Sequence, residues 1–158
     1  MSTNEIIKAT IHENFIQFLH QKEQYESRLA GVFLEELQKL AELGVSINMT
    51  ELHTIACIGE QEPINVTSIA EKMDLSKGNT SKITAKLLAA GWVRKTQLSD
   101  NKKEVYFRLT AAGKKLFAYH DELHNKEQMR MYEFLDKYSE SELDFIKRLF
   151  GDIADLYR

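Results

Sequence analysis

Side chains able to ligate, attack or move protons are scattered thinly through this 158-residue chain. His120 and His124 are spaced i, i+4, which on a helix puts both imidazoles on one side and can chelate a divalent metal. The same spacing serves two histidines that only border a cleft or a helix surface, so both readings stand at this point. Cys57 is the one cysteine. No intramolecular disulfide can form, no second thiol can resolve an oxidised form, and a reducing cytosol suits it. The 24 acidic residues lie largely on helix faces beside Lys and Arg, where solvated pairing is their usual role. There is no phosphate-cradling glycine loop, no Gly-x-Ser-x-Gly, no His-Glu-x-x-His and no EF-hand loop. An enzyme is the least supported class.

The other chemistry is cationic. The whole chain carries a net charge of −3, which by itself argues against nucleic acid. The distribution of that charge argues the other way. Residues 76–115 hold ten basic side chains against two acids, a local charge of +8, while the remainder sums to −11. A charged run is usually a solvated face. Here it coincides with the patterned segment that follows, and a phosphate-binding footprint is the better reading.

The pattern begins with a short amphipathic helix carrying Ile69, Ala70 and Met73 at helical spacing. Asp74-Leu75-Ser76 breaks it, and Ser76 is a good N-cap for a second helix. That helix runs to about Ala90, and Gly91 stops it as a left-handed C′ residue. Thr80, Ile83, Thr84 and Leu87 mark its inward side, whereas Lys77, Gly78, Asn79, Ser81, Lys82 and Lys86 lie largely outward. Two helices joined by a tight turn, the second with such a face, make a helix-turn-helix whose second helix enters the major groove. Strand-like runs follow at Trp92–Gln97 and Glu104–Leu109, separated by a polar turn around Ser99–Lys102. A hairpin in that place is a wing, with Lys102 and Lys103 as tip contacts and Arg94, Lys95 and Arg108 as phosphate positioners.

These residues carry a resemblance. The run IAEKMDLSKGNTSKITAKLLAAGWV, the charged wing, and RLTAAGKKL with its Leu-Thr-x-x-Gly ending resemble the MarR family of bacterial transcription regulators. The family commonly carries Asp-x-Arg at the wing tip. The corresponding places hold Asn101 and Lys103, or with a one-residue slip Asp100 and Lys102. Lys, a hydrated point charge without the planar fork, replaces Arg either way. The resemblance implies a homodimeric, effector-responsive repressor on a pseudo-palindromic operator, with terminal helices that intertwine across a two-fold axis. Zinc-responsive members place a histidine pair ten and fourteen residues beyond the Leu-Thr threonine, and His120 and His124 match. They also use a histidine near the start of the second helix, matched by His53, and a first-helix glutamate, for which Glu35 is the best candidate. The glutamate they carry beside that second-helix histidine is Leu52 here. The effector expected is a small aromatic or anionic molecule in a cleft those histidines border, with zinc at His53, His120, His124 and Glu35 as the alternative. No cofactor is required for the fold. Peroxide-sensing members use a cysteine near the N-terminus, which Cys57 does not match.

The remaining elements must position this segment. The expected fold is mainly α with a small β wing, a winged helix-turn-helix whose dimer is built from N- and C-terminal helices. Residues 1–48 form the N-terminal dimerisation helix or helices, 49–110 the DNA-binding lobe, and 111–158 the C-terminal dimerisation helices of one intertwined domain. One long helix, or two nearly collinear ones, spans 3–43 and ends at Gly44. A second helix is capped by Thr50 and ends near Ile58, a loop runs from Gly59 to Pro63, and Ile64 and Val66 form a short strand beside the wing. Thr110 caps a long helix to about Tyr138, and Ser139 to Glu142 supplies a capping box for the last one. No apolar run approaches the roughly 20 residues of a membrane span, and the polar N-terminus does not read as a signal peptide, so a cytoplasmic location is expected. A winged-helix protein-interaction module without a DNA role is the rival from another class, and the +8 segment argues against it.

Overall fold

The computed structural model describes residues 2–40, 46–98 and 101–158, leaving out the side chains of Leu40, Asn101 and Lys102. The elements run α1 (Thr3–Leu40), α2 (Met49–Gln61), β1 (Ile64–Asn65), α3 (Val66–Met73), α4 (Lys77–Ala89), β2 (Val93–Leu98), β3 (Asn101–Leu109), α5 (Ala111–Leu135) and α6 (Glu140–Leu156). The expected helix end at Gly44 and the wing turn at Ser99–Asp100 lie outside the described residues. Two compact units result, Met1–Phe117 and Ala118–Arg158, with α5 contributing to both.

Within the first unit, α2, α3, α4 and the three-stranded sheet enclose the core. Leu52, Ile55, Ile58, Ile69 and Leu87 are fully buried, each stabilising the fold by about 1.5–3 kcal/mol relative to exposure. The sheet order is β1-β3-β2, all antiparallel. Only Ile64 of the expected Ile64/Val66 strand pairs there, opposite Phe107, with Asn65 beside it opposite Tyr106. Val66 instead opens α3, because the Asn65 side chain accepts a hydrogen bond from Ser68 N at 2.8 Å and starts a helix at once.

α2 also differs from expectation at both ends. Its cap is Asn48, in a reciprocal box with Glu51, and not Thr50. Gly59 does not stop it; the helix continues to Gln61. A Cβ on Gly59 would lie 2.9 Å from the Leu109 and Phe117 side chains. The glycine is there for close packing and not for a turn.

α1 buries Phe33 and Leu37 near its C-terminal end, while Ile6, Ile7, Ile11, Phe18 and Leu19 stay exposed. In the second unit α6 is capped as expected by Ser139 and Glu142, and none of its residues is buried. Phe145, Leu149, Phe150 and Tyr157 are exposed, as are Met129, Tyr132 and Phe134 on α5. α5 stops at Leu135, three residues before the expected Tyr138. Among the described residues no helix is long and apolar enough to cross a membrane.

Candidate nucleic-acid interface

The turn between α3 and α4 is built by two local devices. Asp74 closes α3 in the left-handed region at φ 51° and ψ 47°, a conformation that Asp tolerates better than most residues. Leu75 N then donates to Ala70 O at 2.9 Å. Two residues on, the Ser76 hydroxyl accepts from Asn79 N at 3.2 Å and starts α4. The chain reverses in three residues, which sets α4 across α3.

One side of α4 is fixed against the core. Thr80, Thr84 and Leu87 are buried, and the two threonine hydroxyls donate to carbonyls one turn back, Ser76 O and Thr80 O, each at 3.0 Å. Their burial therefore leaves no hydroxyl unsatisfied. The opposite side presents Lys77, Gly78, Asn79, Ser81 and Lys82, all exposed, with open space around Gly78. Lys86 departs from the expected face. It is half-buried, and its Nζ donates to both carboxylate oxygens of Glu51 at 2.7 and 2.8 Å. Its position flanks the inward row, so it turns toward α2 and leaves the exposed basic face.

Gly91, at φ 74°, ends α4 and launches the wing. In the hairpin Val93 pairs with Leu109, Arg94 with Arg108, Lys95 with Phe107 and Thr96 with Tyr106, before the register shifts between Thr96 and Leu98. Val93, Phe107 and Leu109 form the buried face. Two guanidinium groups thus stand on directly opposed residues, an arrangement that is unfavourable unless an anion neutralises it. Arg94, Lys95 and Lys103 are exposed and Arg108 is half-buried; the Lys102 side chain lies outside the described residues. Val105, two residues before the buried Phe107, is 38% exposed.

The Leu-Thr-x-x-Gly ending locks the wing base to α5. Thr110 N donates to Trp92 O at 3.0 Å, its hydroxyl donates to Gly91 O at 2.6 Å with Trp92 O at 3.1 Å, and the hydroxyl oxygen accepts from Gly113 N at 3.1 Å. A Cβ on Gly113 would fall 1.9 Å from that Trp92 oxygen.

Of the proposed metal ligands, His120 is buried and His124 exposed on α5. Their Nε2 atoms are 3.1 Å apart and their rings meet edge-on at 4.4 Å between centroids. Glu35 is exposed on α1, and His53 lies on α2 outside that helix's buried set. Cys57 is buried, and burial pushes its thiol pKa above the usual range, partly offset by Lys72, with Glu60 adding to the rise. The residue that sequence reasoning missed is Glu51; the Asn48-x-x-Glu51 capping box was the signal that could have drawn notice to it.

An exposed basic helix set by a tight turn and followed by a hairpin defines a winged helix-turn-helix regulator. Comparison with known proteins agrees. Residues 47–105 match the MarR family model. The HTH-type transcriptional regulator YhjH of Bacillus subtilis is 48% identical over 150 residues, covering 93% of this chain and 86% of that one. Among solved structures, Streptococcus pneumoniae FabT in complex with DNA is similar with a TM-score of 0.61 at 18% identity, covering 89% of this chain and 96% of that one. Zinc-responsive Lactococcus lactis ZitR is similar with a TM-score of 0.65 at 19% identity, covering 87% and 99%. The chain belongs to the MarR family and is a helix-turn-helix transcriptional regulator.

Proposed function

We propose that the chain acts as a homodimeric repressor that seats α4 of each protomer in the major groove of a pseudo-palindromic operator. The exposure of Lys77, Asn79, Ser81 and Lys82 opposite the buried Thr80, Thr84 and Leu87 carries this reading. Asn79 and Lys82 would read base edges, Lys77, Gly78 and Ser81 would approach the groove or its phosphates, and Arg94, Lys95, Lys102, Lys103 and Arg108 would hold the backbone. Residues 49–110 form the reading lobe in this view. Residues 1–48 and 111–158 supply the dimer contacts, supported by the exposed Ile6, Ile11 and Phe18 of α1, the exposed Phe145 and Phe150 of α6 and the exposed Tyr157 just after it. Half-site centres would lie about 10 base pairs apart. Selection of genomic DNA by the purified protein tests it, with sedimentation of the same sample. One enriched pseudo-palindrome bound by a dimer is expected. A stably folded micromolar monomer, or no enriched sequence, contradicts it.

A specific observation favours zinc as the effector. Two nitrogens bound to one tetrahedral Zn²⁺ at about 2.05 Å stand about 3.3 Å apart, and the His120 and His124 Nε2 atoms are already at 3.1 Å. The pair fits the metal. His53 and Glu35 would complete the set, and the metal, when bound, would favour one arrangement of the dimer and so act as corepressor. Calorimetric titration with and without His120→Ala tests this. Tight binding lost in the variant and weakened below about pH 6, where imidazoles protonate, is expected. Micromolar or weaker binding that ignores the substitution would leave the small-molecule effector instead.

A further inference from the structure

Glu51 and Lys86 are not explained by a basic reading face. The ion pairs Lys22–Glu26 on α1, Lys126–Glu122 on α5 and Lys147–Asp144 on α6 each join exposed residues one turn apart within one helix, where they contribute little. Lys86–Glu51 joins residues 35 apart in sequence and two different helices. Glu51 is only 8% exposed at its side chain and Lys86 38%. Each end is also favoured by its own helix. Glu51 stands in the first turn of α2 and Lys86 in the last turn of α4, where the helix dipoles suit a carboxylate and an ammonium respectively. One Glu51 oxygen further accepts from Asn48 N at 3.1 Å, which fixes the carboxylate's rotamer. The pair is therefore preformed and directional.

Directionality is what the rest of the α4 contact lacks. Burial of Thr80, Thr84 and Leu87 holds α4 to the core, but apolar contact has no preferred direction and permits roll about the helix axis. A helix with side chains has a radius of about 5–6 Å, so a roll of about 10° carries an outward side chain about 1 Å sideways. A shift of that size along a hydrogen bond of about 2.9 Å stretches it to about 3.9 Å, out of range, and one across it misaligns both arms of a bidentate base contact. A second tether on the flank of α4, one residue before Leu87, removes that freedom.

We infer that Glu51 and Lys86 are the positioning pair of the recognition helix, setting its roll so that Asn79 and Lys82 meet base edges, with Lys86 spent on α2 and not on DNA. The inference rests on the reading of α4 given above. It makes Lys86 unlike its basic neighbours. Its charge is already neutralised, so it releases few counterions on DNA binding, whereas the exposed Lys95 would release about one.

The test uses the full-length protein on its selected operator and on a random duplex of equal length, over a series of salt concentrations. Glu51→Gln keeps the capping box, which accepts Gln at that place, and removes the charge. Lys86→Met keeps the aliphatic stem. Each is expected to weaken operator binding about ten-fold without weakening the random duplex, and the double variant to lose no more than either single one, as coupled partners do. Lys86→Met leaves the salt slope as in wild type, whereas Lys95→Ala lowers it by about one. Lys86→Arg, which keeps a bidentate pair, recovers most of the loss. If Glu51→Gln unfolds the protein, the half-exposed Lys86 substitutions carry the comparison. Plain electrostatics predicts the opposite sign for Glu51→Gln, since deleting an anion beside DNA raises affinity for every duplex. That result overturns the inference, as does a Lys86→Met variant that loses a unit of salt slope and weakens both duplexes equally. If wild type does not prefer the operator over the random duplex, or Lys82→Ala discriminates as well as wild type, the reading of α4 itself falls, and the inference with it.

Discussion

Gly113→Ala asks whether the Leu-Thr-x-x-Gly ending locks the wing to α5. A methyl at Gly113 would sit 1.9 Å from Trp92 O, while ordinary contact begins at 3.4 Å, so the backbones must part by about 1.5 Å. That oxygen accepts from Thr110 N at 3.0 Å, a bond lost at such a separation, whereas the Thr110 hydroxyl keeps its shorter bond to Gly91 O at 2.6 Å. One hydrogen bond at about 1 kcal/mol and about 2 kcal/mol of overpacking outweigh the helix-propensity gain of Ala over Gly, about 1 kcal/mol. The net cost is about 2 kcal/mol. For a chain of this size each kcal/mol moves Tm by roughly 2–4 °C, so the melt should fall by about 4–8 °C. Gly78→Ala is the control: a Cβ there meets nothing within 4 Å, and its helical position gains about 0.5–1 kcal/mol. Thermal melts by far-UV circular dichroism at fixed protein concentration read both. A Gly113→Ala protein melting within two or three degrees of wild type would refute the packing argument.

Other perturbations reach separate parts of the fold. Cys57 has its thiol pKa raised mainly by burial, so its reaction with a thiol reagent should be slow at neutral pH and rise only above the usual thiol range. The neutral buried thiol favours the fold below that range and loses its contribution as pH climbs through the raised value. Reaction at neutral pH as fast as a free thiol would contradict this. Glu142 has its pKa lowered, first by the Ser139 hydroxyl and then by the Ser139 backbone N–H. The capping box is therefore intact above the usual carboxylate range and is lost as pH falls through the depressed value, and Glu142→Leu should remove that acid dependence of α6 helicity. Asn48→Ala should cost about 1 kcal/mol through loss of the α2 cap, whereas Thr50→Ala should cost less; equal losses in denaturant melts would restore Thr50 as the cap.

Much of the segment from Val66 to Thr110 could be read from sequence because its signals are local. Ser76 caps α4 through a bond to a residue three places on, Gly91 adopts its positive φ where the helix stops, and Thr110 caps α5 through Gly113. Errors came where the deciding partner is distant in sequence. Gly59 reads as a helix stop until Leu109 and Phe117 stand against it. Lys86 reads as one more outward cation until Glu51, 35 residues earlier, turns it inward. Asn48 was within local reach and is the better cap by type, though Thr50 also serves, and the box with Glu51 decides between them. The histidine pair was legible as a spacing, yet only the structure gave the 3.1 Å between its nitrogens.

The most direct test of the central claim is a fluorescence titration of the selected operator and a scrambled duplex of equal length with wild type, Asn79→Ala and Lys82→Ala. Wild type should prefer the operator by at least about a thousand-fold at physiological salt. Each substitution should reduce that discrimination by roughly 1–3 kcal/mol wherever it removes a bidentate base contact, leaving scrambled-duplex affinity almost unchanged. Equal losses on both duplexes from both substitutions, or no operator preference in wild type, would mean that the exposed face of α4 does not read DNA sequence.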